Sequence, residues 1–186
     1  MVQGENKILL HACCAICSGY PINLLRELGY DLTVYFCNDN IDTKDEYEKR
    51  LASQVKLCEK FGVKLFAEKY KHDDFLNYVN GYEAEPEKGK RCNLCIKMRL
   101  KKTVQKAIEL GINKITTSLV ISPHKNFEMI SDIGKSIAKE NNIYYLPINF
   151  RKNDGFLKTN LISRELGLYR QNYCGCEFAK EHLLKK

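Results

Sequence analysis

The stretch that decides the fold is Lys7-Ile-Leu-Leu-His-Ala-Cys-Cys-Ala-Ile-Cys-Ser18. Its first six residues form a short and mostly apolar run, which predicts a buried β-strand. Cysteines follow at the point where that strand ends. An apolar pattern of helical spacing then covers residues 20–29, so the chain opens with a strand, a cysteine-bearing turn and a helix.

The same alternation continues along the chain. A β-branched and aromatic second strand is expected over residues 31–37, followed by a long helix that begins after Thr43 and closes at Gly62. Further strands are predicted over 63–67, 112–119 and 143–148. Further helices are predicted around 75–78 and over 92–110, 127–140 and 155–166, before a short lysine-ended tail.

Strands that alternate with helices predict one Rossmann-like α/β domain, residues 1–186, with a mostly parallel sheet covered on both faces. Ligands bind beyond the carboxyl ends of the strands in such sheets. The loops at 13–18, 38–42 and 122–126 each follow a predicted strand. We therefore expect them to meet at one edge of the sheet.

The composition is that of a globular protein, and the sequence has no signal that would take it out of a reducing compartment. Hydrophobic residues make up 44% of the 186 residues and charged residues 28%. No apolar run approaches the roughly 20 residues of a membrane span. The start, Met1-Val-Gln-Gly-Glu-Asn-Lys7, does not have the pattern of a secretion signal. A cytoplasmic protein without a membrane segment is the expectation.

Cysteine usage points to metal or redox chemistry. The chain has nine cysteines, and cytosolic thiols are kept reduced, so clustered cysteines indicate metal ligands or redox catalysts rather than a disulfide framework. Cys37 and Cys58 stand alone and are interpreted as small core residues. The other seven form three groups: Cys13-Cys14-Ala-Ile-Cys17, Cys92-Asn-Leu-Cys95 and Cys174-Gly-Cys176.

The first two groups have the spacing of metal ligands. A Cys-x-x-Cys at a helix start directs two sulfurs to one point, and the helix dipole favours the thiolate form that binds metal. Four thiolates from two such pairs suit a structural zinc or an iron–sulfur cluster, and spacing does not choose between them. Cys17 has three interpretations: a ligand, a thiol beside the ligands, or a packing residue at the helix start.

The third group has the spacing of a redox pair. Gly175 permits a positive φ between Cys174 and Cys176, so that the two sulfurs can form a strained and reducible disulfide that delivers two electrons. The alternative is that the pair completes the metal site.

Two loops carry further candidates. In Ser122-Pro-His-Lys-Asn126, His124 is a candidate proton donor and Lys125 a candidate phosphate contact; an ordinary turn is the alternative. Asp39 and Asp42 follow the second strand. Iron ligation or proton donation is one interpretation, and an acidic loop that caps the next helix is the simpler one.

Charge favours a polyanionic partner. The net charge of +7 comes from 30 Lys and Arg against 23 Asp and Glu. A basic helix beside the second cysteine pair offers either a solvated face or a phosphate-binding surface. Aromatic and basic residues around the last cysteines can stack on a base or simply pack. The residues concerned are Arg91, Lys97, Arg99, Lys101, Lys102 and Lys106 on the helix, and Tyr169, Arg170 and Tyr173 near the last cysteines.

Over nearly its whole length the chain resembles the epoxyqueuosine reductases of the QueH family. Two departures are Ile16, where a proline is common, and the residues around Asn38, where Tyr-Asn-Pro is usual. The motifs that carry the resemblance are His11-Ala-Cys-Cys-Ala-Ile-Cys-Ser18, Arg91-Cys-Asn-Leu-Cys95, Ser122-Pro-His-Lys-Asn126 and Glu165-Leu-Gly-Leu-Tyr-Arg-Gln-Asn-Tyr-Cys-Gly-Cys176.

The resemblance implies reduction of epoxyqueuosine to queuosine at the wobble position of tRNA, the last step of queuosine synthesis. It implies a tRNA anticodon loop as partner and a redox-active pair at Cys174 and Cys176. It also implies a 4Fe–4S cluster on four cysteines: Cys13, Cys14, Cys92 and Cys95. An additional iron, the electron donor and the proton donor stay open.

The fold is also similar to the nucleotide-binding domain of ATP-pyrophosphatases, a PP-loop fold that includes tRNA-thiolating enzymes. Cysteines stand here where those enzymes carry a Gly-rich phosphate loop, which disfavours use of ATP. An ATP-dependent tRNA sulfur-transfer enzyme is one alternative function. A non-catalytic RNA-binding module stapled by zinc is the other.

Overall fold

The computed structural model describes residues 6–184, and its centre is a five-stranded parallel sheet in the order β3-β2-β1-β4-β5. This confirms the predicted parallel α/β fold. The strands are β1 (Lys7–Ala12), β2 (Asp31–Phe36), β3 (Lys64–Ala67), β4 (Lys114–Thr117) and β5 (Tyr144–Tyr145).

Seven helices connect and cover the strands in the part of the chain that the structure describes. A 3₁₀ turn, Ser118–Ile121, follows β4 directly. The helices are α1 (Ala15–Glu27), α2 (Lys44–Phe61), α3 (His72–Val79), α4 (Lys90–Glu109), α5 (Phe127–Glu140), α6 (Gly155–Glu165) and α7 (Glu177–Leu184).

The central strand β1 is buried on both faces, as expected for a parallel sheet that helices cover on each side. Ile8, Leu9 and Leu10 are fully buried, although successive side chains of a strand point to opposite faces. Each such side chain contributes about 1.5–3 kcal/mol of hydrophobic free energy. The strand that carries the cysteine turn is therefore firmly held in the sheet.

The ends of α2 follow the sequence prediction closely. The Thr43 side chain accepts a hydrogen bond from the Glu46 backbone N–H at 3.2 Å, which satisfies one of the free donors of the first turn. Gly62 ends the helix with φ of +61°, a left-handed conformation that glycine adopts without steric cost.

Four elements differ from prediction. Strand β4 covers only Lys114–Thr117 of the predicted 112–119, because the 3₁₀ turn Ser118–Ile121 follows it. Helix α1 begins at Ala15, directly after the cysteines, rather than near residue 20. Strand β5 has two residues instead of six, because the Thr116 hydroxyl donates to Leu146 O at 2.9 Å and Ile148 N donates to the same carbonyl, which turns the chain away from β4. The predicted tail contains helix α7, whose Ala179 is buried.

The order of the strands creates one place for a ligand. The chain proceeds from β1 outward to β3 on one side, and then crosses to β4 on the other side of β1. The carboxyl ends of β1 and β4 therefore border a crevice, the usual ligand position in open α/β sheets. Cys13 follows β1 there and Ser118 follows β4.

A cysteine-lined candidate active site

Three sulfurs meet at the carboxyl end of β1. Cys13 and Cys14 form the turn after the strand, and Cys17 lies in the first turn of α1. Their Sγ atoms all lie within 4.8 Å of one another, with 4.0 Å between the first two. Ser118 fixes the turn from β4, because its Oγ accepts from Cys13 N at 3.0 Å and donates to Cys13 Sγ at 3.3 Å. We call Cys13, Cys14 and Cys17 the cysteine triad.

The triad favours one thiolate. Hydrogen bonds from the Cys14 and Cys17 thiols hold the pKa of Cys13 well below its usual range. The same hydrogen bond raises the pKa of Cys14 to about 12, and donation to Cys13 and Cys14 raises the pKa of Cys17. Thiolate sulfur is a soft ligand suited to zinc and to iron–sulfur clusters, so this donor set fits such a group.

The second cysteine pair lies in an adjoining cavity. Cys92 and Cys95, on the first turns of α4, line a small cavity together with Cys174 and Cys176. Burial raises the pKa of Cys95 to about 11. Within residues 6–184, the triad is the set of three metal-capable side chains close enough to hold one ion. The four cysteines implied by the resemblance are thus divided between two neighbouring cavities.

Arg99 joins the two cavities. Its side chain lines both of them and is 4% exposed. The guanidinium donates to Asn38 Oδ1, and Asn38 Nδ2 donates to Ala12 O at 3.0 Å, which ties α4 to the end of β1. Arg99 Nε has no hydrogen-bond partner among the described residues. A buried cation with a free donor fits a site in which thiolates carry negative charge.

A tight backbone turn holds the last cysteine pair. Gly175 has φ of +116°, which confirms the predicted positive φ, and its carbonyl accepts from Asp42 N at 2.8 Å. Arg50, on α2, donates to the carbonyls of Cys174 at 3.3 Å and Tyr173 at 3.4 Å. Its Nε also pairs with Glu46 at 2.7 Å. Residues 173–176 are therefore fixed against α2 and the loop after β2; we call them the redox segment, after the role predicted for their two cysteines.

The two cysteines of this segment have different surroundings. Burial raises the pKa of Cys176 to about 12. Cys174 is half-buried, lines both cavities and has its Sγ 3.6 Å from Lys125 Nζ. Burial alone would lower the pKa of Lys125, but the cysteines around it outweigh that effect and raise it. Lys125 is thus an ammonium beside a thiol.

The other polar candidates have separate positions. His124 is exposed and lines the larger cavity. Asp39 is buried with one oxygen 2.5 Å from Lys102 Nζ, and burial raises the pKa of its carboxyl. Its Oδ1 has no partner among the described residues, and it lines neither cavity. Asp42 accepts from the Tyr173 hydroxyl at 2.5 Å, so it anchors the redox segment.

The basic helix α4 does not present one uniform surface. Arg91 and Arg99 are buried, whereas Lys97 and Lys101 are exposed. Lys102 and Lys106 are half-buried and bound to acidic groups: Asp39 and Asp74 for the first, and Glu68 and Glu109 for the second. Cys37 and Cys58 are buried in the hydrophobic core, as the sequence predicted.

The larger cavity measures about 520 Å³, within the size range of small-molecule sites. Sequence reasoning missed several of its residues, among them Arg50, Phe156 and Asn160. Arg50 has a glutamate four residues earlier, the pattern of an ordinary surface ion pair, and the other two lie on a helix without a motif. The lining residues are Cys13, Cys14, Ile16, Cys17, Arg50, Glu87, Lys88, Arg99, Leu119, Ser122, His124, Lys125, Phe156, Asn160, Arg170, Gln171, Asn172, Tyr173, Cys174 and Ala179.

Fold and site define a parallel α/β protein in which cysteines occupy the turn after the first strand. The family model "Epoxyqueuosine reductase QueH" matches residues 8–182. The chain belongs to this family. It is accordingly an epoxyqueuosine reductase, an oxidoreductase of the final step of queuosine biosynthesis, and its family acts on epoxyqueuosine in tRNA.

Curated relatives support the assignment. An epoxyqueuosine reductase QueH of Streptococcus pyogenes is 42% identical over 93% of this chain and 70% of its own length. The corresponding protein of Staphylococcus epidermidis is 36% identical over 95% of this chain and 78% of its own. The protein of Thermotoga maritima is also 36% identical, over 92% of this chain and 89% of its own length.

Solved structures with low sequence identity share the fold. The U34-tRNA thiolase NcsA of Methanococcus maripaludis, solved with its 4Fe–4S cluster, superimposes with a TM-score of 0.61 at 16% identity, over 95% of this chain and 62% of that one. This chain therefore spans less than two thirds of the thiolase. A predicted subunit of a tRNA methyltransferase from Methanocaldococcus jannaschii has a TM-score of 0.55 at 12% identity, over 83% and 76%.

Helices of the described part of the chain are all too short or too polar to cross a bilayer.

Proposed function

We propose that this chain, as a single domain over residues 1–186, reduces epoxyqueuosine in the anticodon loop of tRNA. A 4Fe–4S cluster and a redox-active cysteine pair carry the reaction. The observation that supports this most directly is the convergence of seven thiols, from three distant parts of the sequence, on two adjoining cavities. The cluster ligands are Cys13, Cys14, Cys92 and Cys95, and the redox pair is Cys174 and Cys176.

The reaction removes the epoxide oxygen as water and leaves a carbon–carbon double bond. It consumes two electrons and two protons. Oxidation of the Cys174 and Cys176 thiols to a disulfide releases two electrons and two protons, so the pair balances one turnover. An external reductant of the dithiol class must then restore both thiols. The cluster, when bound, supplies electron transfer and Lewis acidity toward oxygen.

Residues of the chain prepare the site for this chemistry. Arg99 offsets the negative charge of the thiolates in both cavities, since its guanidinium lines each of them. Lys125 holds its ammonium group 3.6 Å from Cys174 Sγ. His124 lies at the larger cavity and is the candidate proton donor, because its imidazole is exposed there.

Cys17 is left over when four other cysteines hold the cluster. Its sulfur lies within 4.8 Å of those of Cys13 and Cys14, so it is close enough to share a metal with them. We propose Cys17 as the ligand of an additional iron beside the cluster. Asp39 is the less favourable candidate for that iron, because Lys102 already occupies one of its oxygens.

Metal analysis of protein purified without oxygen tests the cluster. We expect a brown protein with about four irons in the Cys₄ cluster, besides the additional iron proposed at Cys17. The cluster should be lost when any of its four proposed ligands becomes serine. Cys58→Ser is the matched control, since Cys58 is buried in the core on α2. Serine at Cys174 or Cys176 should keep the cluster and abolish multiple turnover. A colourless, zinc-loaded protein with full reductase activity would contradict the proposal.

The two alternative functions, a zinc-stapled RNA-binding module and an ATP-dependent sulfur-transfer enzyme, have different support. A non-catalytic zinc module is wrong, because the chain belongs to a family of reductases. ATP-dependent sulfur transfer has only the shared fold in its favour, and in this chain the cysteine triad occupies the turn where ATP-pyrophosphatases carry their phosphate loop. ATP consumption during turnover would support it; we expect none.

A further inference from the structure

The larger cavity has an aromatic residue at its border that the chemistry above does not use. Phe156 lies in the first turn of α6, lines the cavity and is 41% exposed. Among the described large hydrophobic residues that are exposed, it is the one that lines this cavity. Leu157 and Leu161, exposed on the same helix, do not.

The surroundings fix the backbone of the helix that carries Phe156. Gly155 precedes it at a point where a side chain has no room, because a Cβ there would lie 1.8 Å from Phe150 O and 2.6 Å from the Tyr20 ring. One turn later, the buried Thr159 hydroxyl donates to Ile16 O at 2.5 Å and accepts from Tyr20 N at 3.2 Å. Helix α6 is thereby bonded to α1, the helix that carries Cys17.

Cations border the cavity next to this ring. Arg170 donates to Asn160 Oδ1, and Asn160 Nδ2 donates to Phe156 O at 2.7 Å, so the guanidinium is attached to the helix that presents the ring. Of the charged side chains that line the cavity, only Glu87 is acidic. The cationic ones are Arg50, Lys88, Arg99, Lys125 and Arg170.

An aromatic face beside fixed guanidinium groups is the arrangement that binds single-stranded nucleic acid. Bases stack on the ring, and the cations meet the phosphates. We infer that Phe156 is a stacking platform for a nucleobase of the RNA substrate, with Arg170 beside it for the adjacent phosphate. This inference rests on the proposed action on the anticodon loop. The base is either that of epoxyqueuosine itself or that of a neighbouring nucleotide.

The test compares four variants of the full-length, anaerobically purified protein with an anticodon stem-loop RNA that carries epoxyqueuosine. Phe156→Ala removes the ring, Phe156→Tyr keeps an aromatic face and Phe156→Leu keeps only apolar volume. Leu161→Ala is the control, because Leu161 is similarly exposed, at 53%, on the same helix but away from the cavity. The dissociation constant of the RNA, kcat and the melting temperature are measured for each.

Base–aromatic stacking contributes about 1–3 kcal/mol per base, so Phe156→Ala should raise the dissociation constant of the RNA about 5- to 150-fold. Tyrosine should restore binding and leucine should not, while Leu161→Ala stays within about twofold of the wild type. Equal losses in Phe156→Ala and Leu161→Ala, or rescue by leucine as complete as that by tyrosine, would overturn the inference.

Two further substrates identify the base. If the reacting base stacks on the ring, Phe156→Ala raises KM for the free epoxyqueuosine nucleoside by the same factor. If the base of a neighbouring nucleotide stacks there, Phe156→Ala leaves conversion of the free nucleoside unchanged. An RNA with an abasic nucleotide beside epoxyqueuosine should then bind the wild type more weakly, whereas its affinity for Phe156→Ala should not fall further. Absence of both effects would also overturn the inference. A wild-type enzyme that bound the RNA in the predicted manner but did not reduce it would instead disprove the proposed chemistry.

Discussion

Replacement of Gly175 by alanine tests whether the turn between the last two cysteines controls turnover. A side chain at φ of +116° costs about 1–3 kcal/mol of backbone strain. The new Cβ would also lie 3.0 Å from Arg50 Nη1 and 3.2 Å from Asn40 Nδ2. Displacement of Arg50 removes its hydrogen bond to Cys174 O, which contributes about 0.5–1.5 kcal/mol.

The sum is a destabilisation of the redox segment by about 1.5–4.5 kcal/mol, enough to shift its docking equilibrium by about one to three orders of magnitude. Gly29→Ala is the matched control, since Gly29 has φ of +80° and a Cβ added there would meet no atom within 4 Å. Thermal unfolding and multiple-turnover reduction of epoxyqueuosine are measured for both. We expect Gly175→Ala to melt lower than Gly29→Ala, to retain iron and to lose multiple turnover. Equal stability and normal turnover in the two variants would refute the reasoning.

Four further predictions concern the site and the elements around it. Thr159→Val should lower the free energy of unfolding by about 1–3 kcal/mol, because Tyr20 N and Ile16 O lose their common partner; Thr159→Ser, measured by the same denaturation, should retain most of the stability. Arg99→Leu should lower the midpoint potential of the bound cluster and the iron content, because a buried cation favours the reduced, more negative state of the cluster. In a redox titration, the midpoint potential of Arg99→Lys should lie between those of the wild type and Arg99→Leu. Charge reversal of the exposed Lys97 and Lys101 should weaken tRNA binding and reduce its salt dependence by about one unit per side chain, with little change in melting temperature. Lys102→Glu should instead destabilise the protein, because it places a second carboxylate against buried Asp39.

The ends of a helix or strand could be predicted from sequence where they depend on nearby residues. The ends of α2 were set by Thr43 and Gly62, whose roles depend on the backbone next to them. The ends of α1 and β5 were not predictable in that way. Helix α1 starts within the cysteines, which give no apolar periodicity, and β5 stops because of a hydrogen bond from Thr116 on another strand.

In the candidate site too, features set by neighbouring residues could be predicted from sequence, and features set by tertiary contacts could not. Cysteine spacing was enough to find the three thiol groups, and glycine chemistry predicted the conformation of Gly175. The contributions of Arg50 and Phe156 depend on packing between segments more than a hundred residues apart, which no short motif records. For Lys102, sequence showed only another charge on a basic helix, whereas its ion pair with Asp39 is a tertiary contact.

The attachment of the redox segment to Arg50 has a consequence for the order in which the chain acquires function. Strands β1, β2 and β3 are neighbours in sequence and in the sheet, so that half can form before the rest of the chain is made. Cys174 reaches Arg50 across 124 positions, and docks only when nearly the whole polypeptide has been synthesised. Tyr173 and Cys174 line the same cavity as the triad, so a chain truncated before residue 173 lacks part of the wall of that cavity.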